Sequence, residues 1–144
     1  MTVLVVATLG GIAVTLQGNF MGTMTRHMGT LESMFITYGS GGLVVTALFL
    51  MRALTVGSGL SQWREVPVYA FGAGLLGLVI VGSIGFATAR YGLIATFAII
   101  LVAQYSSAAV IDHFGLFGAP VQALDPLRTV GIVLLLIGAW LVLR

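Results

Sequence analysis

Five long apolar runs constrain this chain more than any other feature of its sequence. Val3 to Met24, Leu31 to Met51, Val66 to Ala89, Tyr91 to Ile111 and Leu127 to Leu143 hold little but apolar and small residues. About 20 such residues in a helix cross a hydrocarbon core of about 30 Å. The sequence therefore predicts an all-α integral membrane bundle of five transmembrane helices, about 3–24, 31–51, 66–89, 91–111 and 127–143, in one transmembrane domain over residues 1–144. The fifth run is the shortest and carries Arg128 in its first turn, so it must snorkel that side chain or sit shallow.

Composition excludes several other classes. Hydrophobic residues make up 59% and charged residues 7%, against roughly 25% charged in soluble domains, so no stretch has the polar surface of a soluble domain. The first run lacks a basic leader and a small-residue cleavage site, and is expected to be a retained helix. With no cysteine in the chain, disulfides and thiolate metal sites are excluded. No catalytic constellation, cofactor motif or metal-ligand cluster is legible, and no enzyme is expected. Gly72-Ala73-Gly74-Leu75-Leu76-Gly77 spells the dinucleotide fingerprint, but it lacks the preceding strand and the acid about 20 residues on. Basic residues form no stripe with interleaved aromatics, so nucleic acid is not an expected partner.

Orientation in a membrane follows the lysine and arginine difference between short loops. An odd number of spans places the termini on opposite sides. One side then carries Arg52, Arg64 and Arg128, the other Arg26, Arg90 and Arg144, and there is no lysine. Such a balance predicts a chain that inserts both ways up and pairs with itself as an antiparallel homodimer of ten helices, with lipid as its other partner.

The 20 glycines lie mostly inside these helices. Gly11, Gly18 and Gly22 share a face of the first, and Gly74, Gly77 and Gly85 lie near one stripe of the third, where small side chains allow close helix packing in lipid. Tyr38-Gly39-Ser40-Gly41-Gly42 predicts a bend in the second helix, because each glycine weakens a helix by about 1 kcal/mol relative to alanine. Bent helices at membrane depth line transporter cavities.

Polar groups inside the runs are few, and in hydrocarbon each needs a partner or a wet cavity. Gln17 lies about 10 Å below one surface and Gln104 at a similar depth below the other, at 1.5 Å per residue. In an antiparallel pair the two would share a depth, which makes them candidate substrate-binding residues, with Asn19, Tyr38 and Tyr105 as further candidates. Asn19 lies about 200° round the helix from Gln17. Glu32 follows Thr30 in the first turn of the second helix, where a carboxylate opposes the helix dipole; it could also bind a proton or cation. Asp112 and His113 end the fourth helix and form a second candidate for ion coupling. The stretch Asp112 to Pro120 is too apolar for a free loop and too broken for a helix, and is expected to lie in the interface or fold back as a partial re-entrant turn.

Gln104, Ile111-Asp112-His113-Phe114-Gly115-Leu116-Phe117-Gly118, Gln17 and the Tyr38 to Gly42 segment together resemble the YdcZ-like small membrane proteins of the drug/metabolite transporter superfamily. The resemblance covers nearly the whole chain. It implies five helices per chain, antiparallel arrangements and a transport role in the inner membrane, with no assigned substrate. Many members carry Asn four residues after the first glutamine, where this chain has Met21. The expected function is a dual-topology homodimeric transporter moving a small organic solute by alternating access. An antiparallel small-ion channel and a non-transporting assembly protein are the alternatives.

Overall fold

The computed structural model describes residues 1–57 and 59–144, and the described residues are helical with no strand. Four α-helical runs carry the chain: α1 (Thr2–Met28), α2 (Thr30–Thr55), α3 (Ala73–Phe114) and α4 (Pro126–Val142). Short 3-10 turns at Leu60–Glu65, Val68–Gly72 and Leu116–Gly118 connect them. Among the described residues three stretches are long and apolar enough to cross a membrane: Thr2–Met28, Thr30–Thr55 and Val68–Phe114. Pro126–Val142 is a shorter apolar helix.

Breaks in the helices fall at glycine. Gly29 (φ 103°, ψ 165°) separates α1 from α2, and Gly92 (φ 78°, ψ 172°) interrupts α3. Both occupy a backbone region that is essentially closed to residues with a Cβ. Straight, the 42 residues of α3 would measure about 63 Å at 1.5 Å per residue, roughly twice the hydrocarbon thickness. The break gives two arms, 73–91 and 93–114.

Helix boundaries differ from the sequence expectation in three places, each for a local reason. The helical path of the third run starts at Val68, as a 3-10 turn that passes into α3 at Ala73, and not at Val66, because Pro67 forces its predecessor out of the helical region. Val66 is accordingly extended (φ −80°, ψ 125°). The fourth helical segment runs on to Phe114, where Gly115 turns left-handed (φ 62°). The Tyr38 to Gly42 segment does not interrupt the helix, and α2 runs unbroken from Thr30 to Thr55. A peptide group freed in hydrocarbon finds no water, and keeping the helical bonds outweighs about 1 kcal/mol per glycine.

The chain forms two compact units, Met1–Arg90 and Tyr91–Arg144. In the first, α1 and α2 pack antiparallel, with the buried Ser33 hydroxyl 3.5 Å from the Met21 carbonyl that accepts from it. The first arm of α3 packs where its neighbours are small. A Cβ on Gly22 would meet Thr88 Cγ2 at 2.7 Å, and one on Gly85 would meet Met21 and Thr25 at 3.1–3.6 Å. Gly77 faces the Tyr38 hydroxyl and Gly82 faces the Met34 sulfur. Gly18 is buried, whereas Gly11 and Gly74 have open space around the Cβ position. Met21, Val81 and Ile84 are the buried hydrophobic residues among those described, and large apolar side chains otherwise cover the surface, as lipid or a second protein surface requires.

In the second unit, Asp125 caps α4 by accepting the Arg128 N–H at 2.7 Å on Oδ1, with Pro126 as the first helical residue. Proline suits that position because its missing N–H has no helical partner there in any case.

The packing separates two glycines of α1. Thr88 is 3% exposed and stiff about χ1, so it cannot swing away from a new methyl group. Gly22→Ala is expected to lower stability by about 1–3 kcal/mol, read as a fall in thermal midpoint in detergent, whereas Gly11→Ala should leave it unchanged or raise it. Equal effects at the two positions would contradict this packing.

Candidate functional site

The second unit holds a cleft of about 470 Å³ between the 93–114 arm of α3, α4 and the segment joining them. Its walls follow helical spacing. Tyr105, Ala108, Ala109 and Asp112 come from one face of α3, while Arg128, Gly131, Ile132 and Leu135 come from one face of α4. The small residues at 108, 109 and 131 leave the space, and Gln122 and Leu124 close one end. The volume lies within the usual range for small-molecule sites, and so does the pattern of apolar walls with a few polar groups.

The joining segment folds back on the end of α3. Gln122 N–H donates to the Asp112 carbonyl at 2.8 Å, and Leu124 N–H donates to His113 Nδ1 at 3.2 Å. Left-handed backbone at Gly115, Phe117 (φ 56°) and Gly118 (φ 81°) makes the reversal. The turn is tight, since a Cβ on Gly115 would lie 2.6 Å from Val121 Cγ2.

This arrangement gives Asp112 and His113 different tasks. By accepting the Leu124 N–H, His113 Nδ1 holds the segment, and its ring meets Phe114 edge-on at 4.8 Å. Successive residues of a helix point about 100° apart, and no hydrogen bond joins the two side chains. The Asp112 carboxylate lines the cleft with no hydrogen-bond or ion-pair partner among the described residues. Arg128 lines it too, but is already engaged. Its Nη2 donates to Gln122 Oε1 at 2.8 Å and its Nε lies 3.9 Å from Asp125 Oδ2. The guanidinium therefore reaches back past the start of α4, the direction in which helical side chains lean.

Other candidates lie elsewhere. Gln17 is partly buried and lines a groove of about 390 Å³ between α1 and α2, with Leu16, Phe20, Ile36 and Ser40. Asn19 is exposed. Tyr38 is exposed, with its hydroxyl beside Gly77, and it lines a separate groove on α2 with Phe35, Ser40 and Leu43. Gln104 is exposed and lies outside the Asp112 cleft. Glu32, also exposed, lies with its carboxylate over Gly29, where a Cβ would meet Oε2 at 2.6 Å. That position, at the third residue of α2, suits the helix dipole. Ser107 bonds back to the Ala103 carbonyl at 2.6 Å, as serine in helices often does.

Gln122 and Arg128 are the cleft residues that sequence reasoning missed as site residues. The available signal was an arginine in the first turn of a short apolar helix, a default functional candidate at membrane depth. Gln122 gave none, because its place depends on the reversal at Gly115.

His113→Ala removes the acceptor of the Leu124 N–H and should loosen residues 115–125, a loss of about 0.5–1.5 kcal/mol for one hydrogen bond. Hydrogen exchange in that segment should speed up while α1 and α2 keep their protection. Asp112→Asn should leave this exchange unchanged, since Gln122 is held by the Asp112 backbone carbonyl. Equal acceleration in both variants would contradict the division of roles.

Residues 2–141 match the model of a family described as "Putative inner membrane exporter, YdcZ". No curated protein and no solved structure matches the chain.

Proposed function

The chain belongs to the YdcZ exporter family, and from that premise we propose that it exports a small organic solute through a dual-topology, antiparallel homodimer by alternating access. On this reading each chain crosses the inner membrane five times. α1 and α2 each cross once, the two arms of α3 supply two crossings, and α4 supplies a shallow fifth. The Gly92 backbone shares the conformation of Gly29, which favours separate crossings over one overlong helix.

The observation that carries the reading is the Asp112 carboxylate in a cleft of about 470 Å³ with largely apolar walls. An acidic side chain in such a cleft is a receptor for a cationic group of the solute, and acidic groups at membrane depth mark ion and substrate paths. A site that exchanges the solute for a coupling ion links ion entry to solute exit. Tyr105 offers a hydroxyl and a ring face to the same space, and Arg128 with Gln122 bounds it on the α4 side. Gln17 and Gln104 extend the polar path where the two protomers meet. Glu32 acts chiefly at the helix dipole. Export is the activity proposed, with no enzymatic step and no cofactor.

The balanced arginines support the antiparallel arrangement, because three positive charges on either side give insertion no preferred direction.

Proteoliposomes with an imposed pH gradient test the coupling. Asp112→Asn should reduce gradient-driven flux of a permeant organic-cation probe by at least tenfold while leaving the purified oligomer intact. Undiminished gradient-driven flux in Asp112→Asn would overturn the assignment.

A further inference from the structure

A second polar cavity lies in the first unit, away from the Asp112 cleft. It has a volume of about 340 Å³ and is lined by Thr25, Arg26, Gly29, Thr30, Ala89 and Arg90. It gathers the end of α1, the start of α2 and the end of the first arm of α3. Two of the chain's six basic residues therefore face one small space.

Both arginines are exposed, and both guanidiniums contact neutral groups of their own helix. Arg26 Nη2 donates to Thr23 Oγ1 at 3.1 Å. Arg90 Nη1 donates to the Phe86 carbonyl at 3.2 Å, and its guanidinium lies 3.6 Å from the centre of the Phe86 ring. A guanidinium has five N–H donors, so each arginine keeps most of its donors after these contacts. Neither has a carboxylate within 4.0 Å among the described residues, where Arg128 with Asp125 is the ion pair seen. Thr25 Oγ1 has no hydrogen-bond partner but is buried against Gly85, so Thr25 lines the cavity with its other atoms. The Glu32 carboxylate lies over Gly29 at the edge of the cavity, without a cap hydrogen bond and beyond 4.0 Å from either guanidinium among the described ion pairs.

Two like charges on one cavity, neither paired with a carboxylate within 4.0 Å among the described residues, repel each other, and the arrangement is stabilised when an anion bridges them. Planar guanidiniums match tetrahedral phosphate oxygens through paired N–H···O bonds. From this juxtaposition we infer that the Arg26–Arg90 cavity binds a phosphate group at the membrane edge. Its chemistry is that of a phospholipid headgroup or of a free phosphate anion. Basic pockets between membrane helices hold anionic headgroups in this manner, and an occupant would clamp α1, α2 and the first arm of α3 together at this end.

The test uses the full chain purified in an uncharged detergent. Native mass spectrometry with added phosphatidylglycerol or phosphatidylcholine measures lipid retention, and thermal unfolding with added sodium phosphate, against sodium chloride of equal ionic strength, measures the free anion. The wild type is expected to retain phosphatidylglycerol at least fivefold more than phosphatidylcholine, or to gain thermal stability with phosphate alone. The first result identifies the lipid as the source and the second identifies the free anion. Arg26→Gln with Arg90→Gln should abolish whichever response the wild type gives, while Arg52→Gln with Arg64→Gln should preserve it. Should the double glutamine variant fail to fold, Arg26→Lys with Arg90→Lys keeps the charge and removes the planar fork, and should weaken the response severalfold. Absence of both responses in the wild type would overturn the inference, as would an unchanged response in the variants of Arg26 and Arg90.

Discussion

A peptide group inside hydrocarbon has no water to bond, and the rest of this structure depends on that constraint. Every long apolar run must satisfy its own N–H and C=O groups, and each of the long apolar runs is helical over almost its whole length among the described residues. The same constraint keeps α2 intact through Gly39, Gly41 and Gly42, where composition alone favours a bend. It also confines the sharp breaks to Gly29 and Gly92, whose backbone conformation a side chain would strain. With few buried hydrophobic residues, the protein is held together by helix formation and by close contacts such as Gly22 against Thr88. In lipid these contacts are a chief source of helix association.

Polar chemistry gathers where that constraint relaxes, at the helix ends. The segment after Phe114 leaves the helix and turns back, so that Asp112, Gln122 and Arg128 meet at one cleft. Backbone hydrogen bonds to Asp112 and His113 fix the reversal, which leaves the Asp112 carboxylate available. At the other helix junction, Gly29 is the single residue between α1 and α2, and this brings Thr25, Arg26 and Thr30 beside Arg90. Both polar sites are by-products of how the chain changes direction.

Much of the helical architecture was legible because apolar runs and glycine placement act locally. The all-helical class and the ends of α4 to within a residue follow from such local signals, and the fold-back after Asp112 is one of the two courses expected of that stretch. The apolar span begins at Val68, two residues after the expected Val66, and its first turn is 3-10 and not α, a distinction to which hydropathy is blind. The site was only partly legible. Tyr105 and Asp112 share a helical face and could be found by spacing, but Gln122 enters through left-handed turns at Gly115 and Phe117 that hydropathy does not register. Gln17 and Gln104 were paired by depth alone, and depth carries no information about direction around the helix.

The central claim is that balanced arginines let this chain insert both ways up and build its exporter from two opposed copies. The absence of cysteine permits a direct measurement. Ser61→Cys places one thiol in the exposed connection between α2 and α3, and a membrane-impermeant maleimide applied to intact spheroplasts reports which side it faces. The account predicts that about half of the protein is labelled from outside and the remainder only after the membrane is opened. Labelling that is complete from outside, or absent until the membrane is opened, would mean a single orientation and would contradict it.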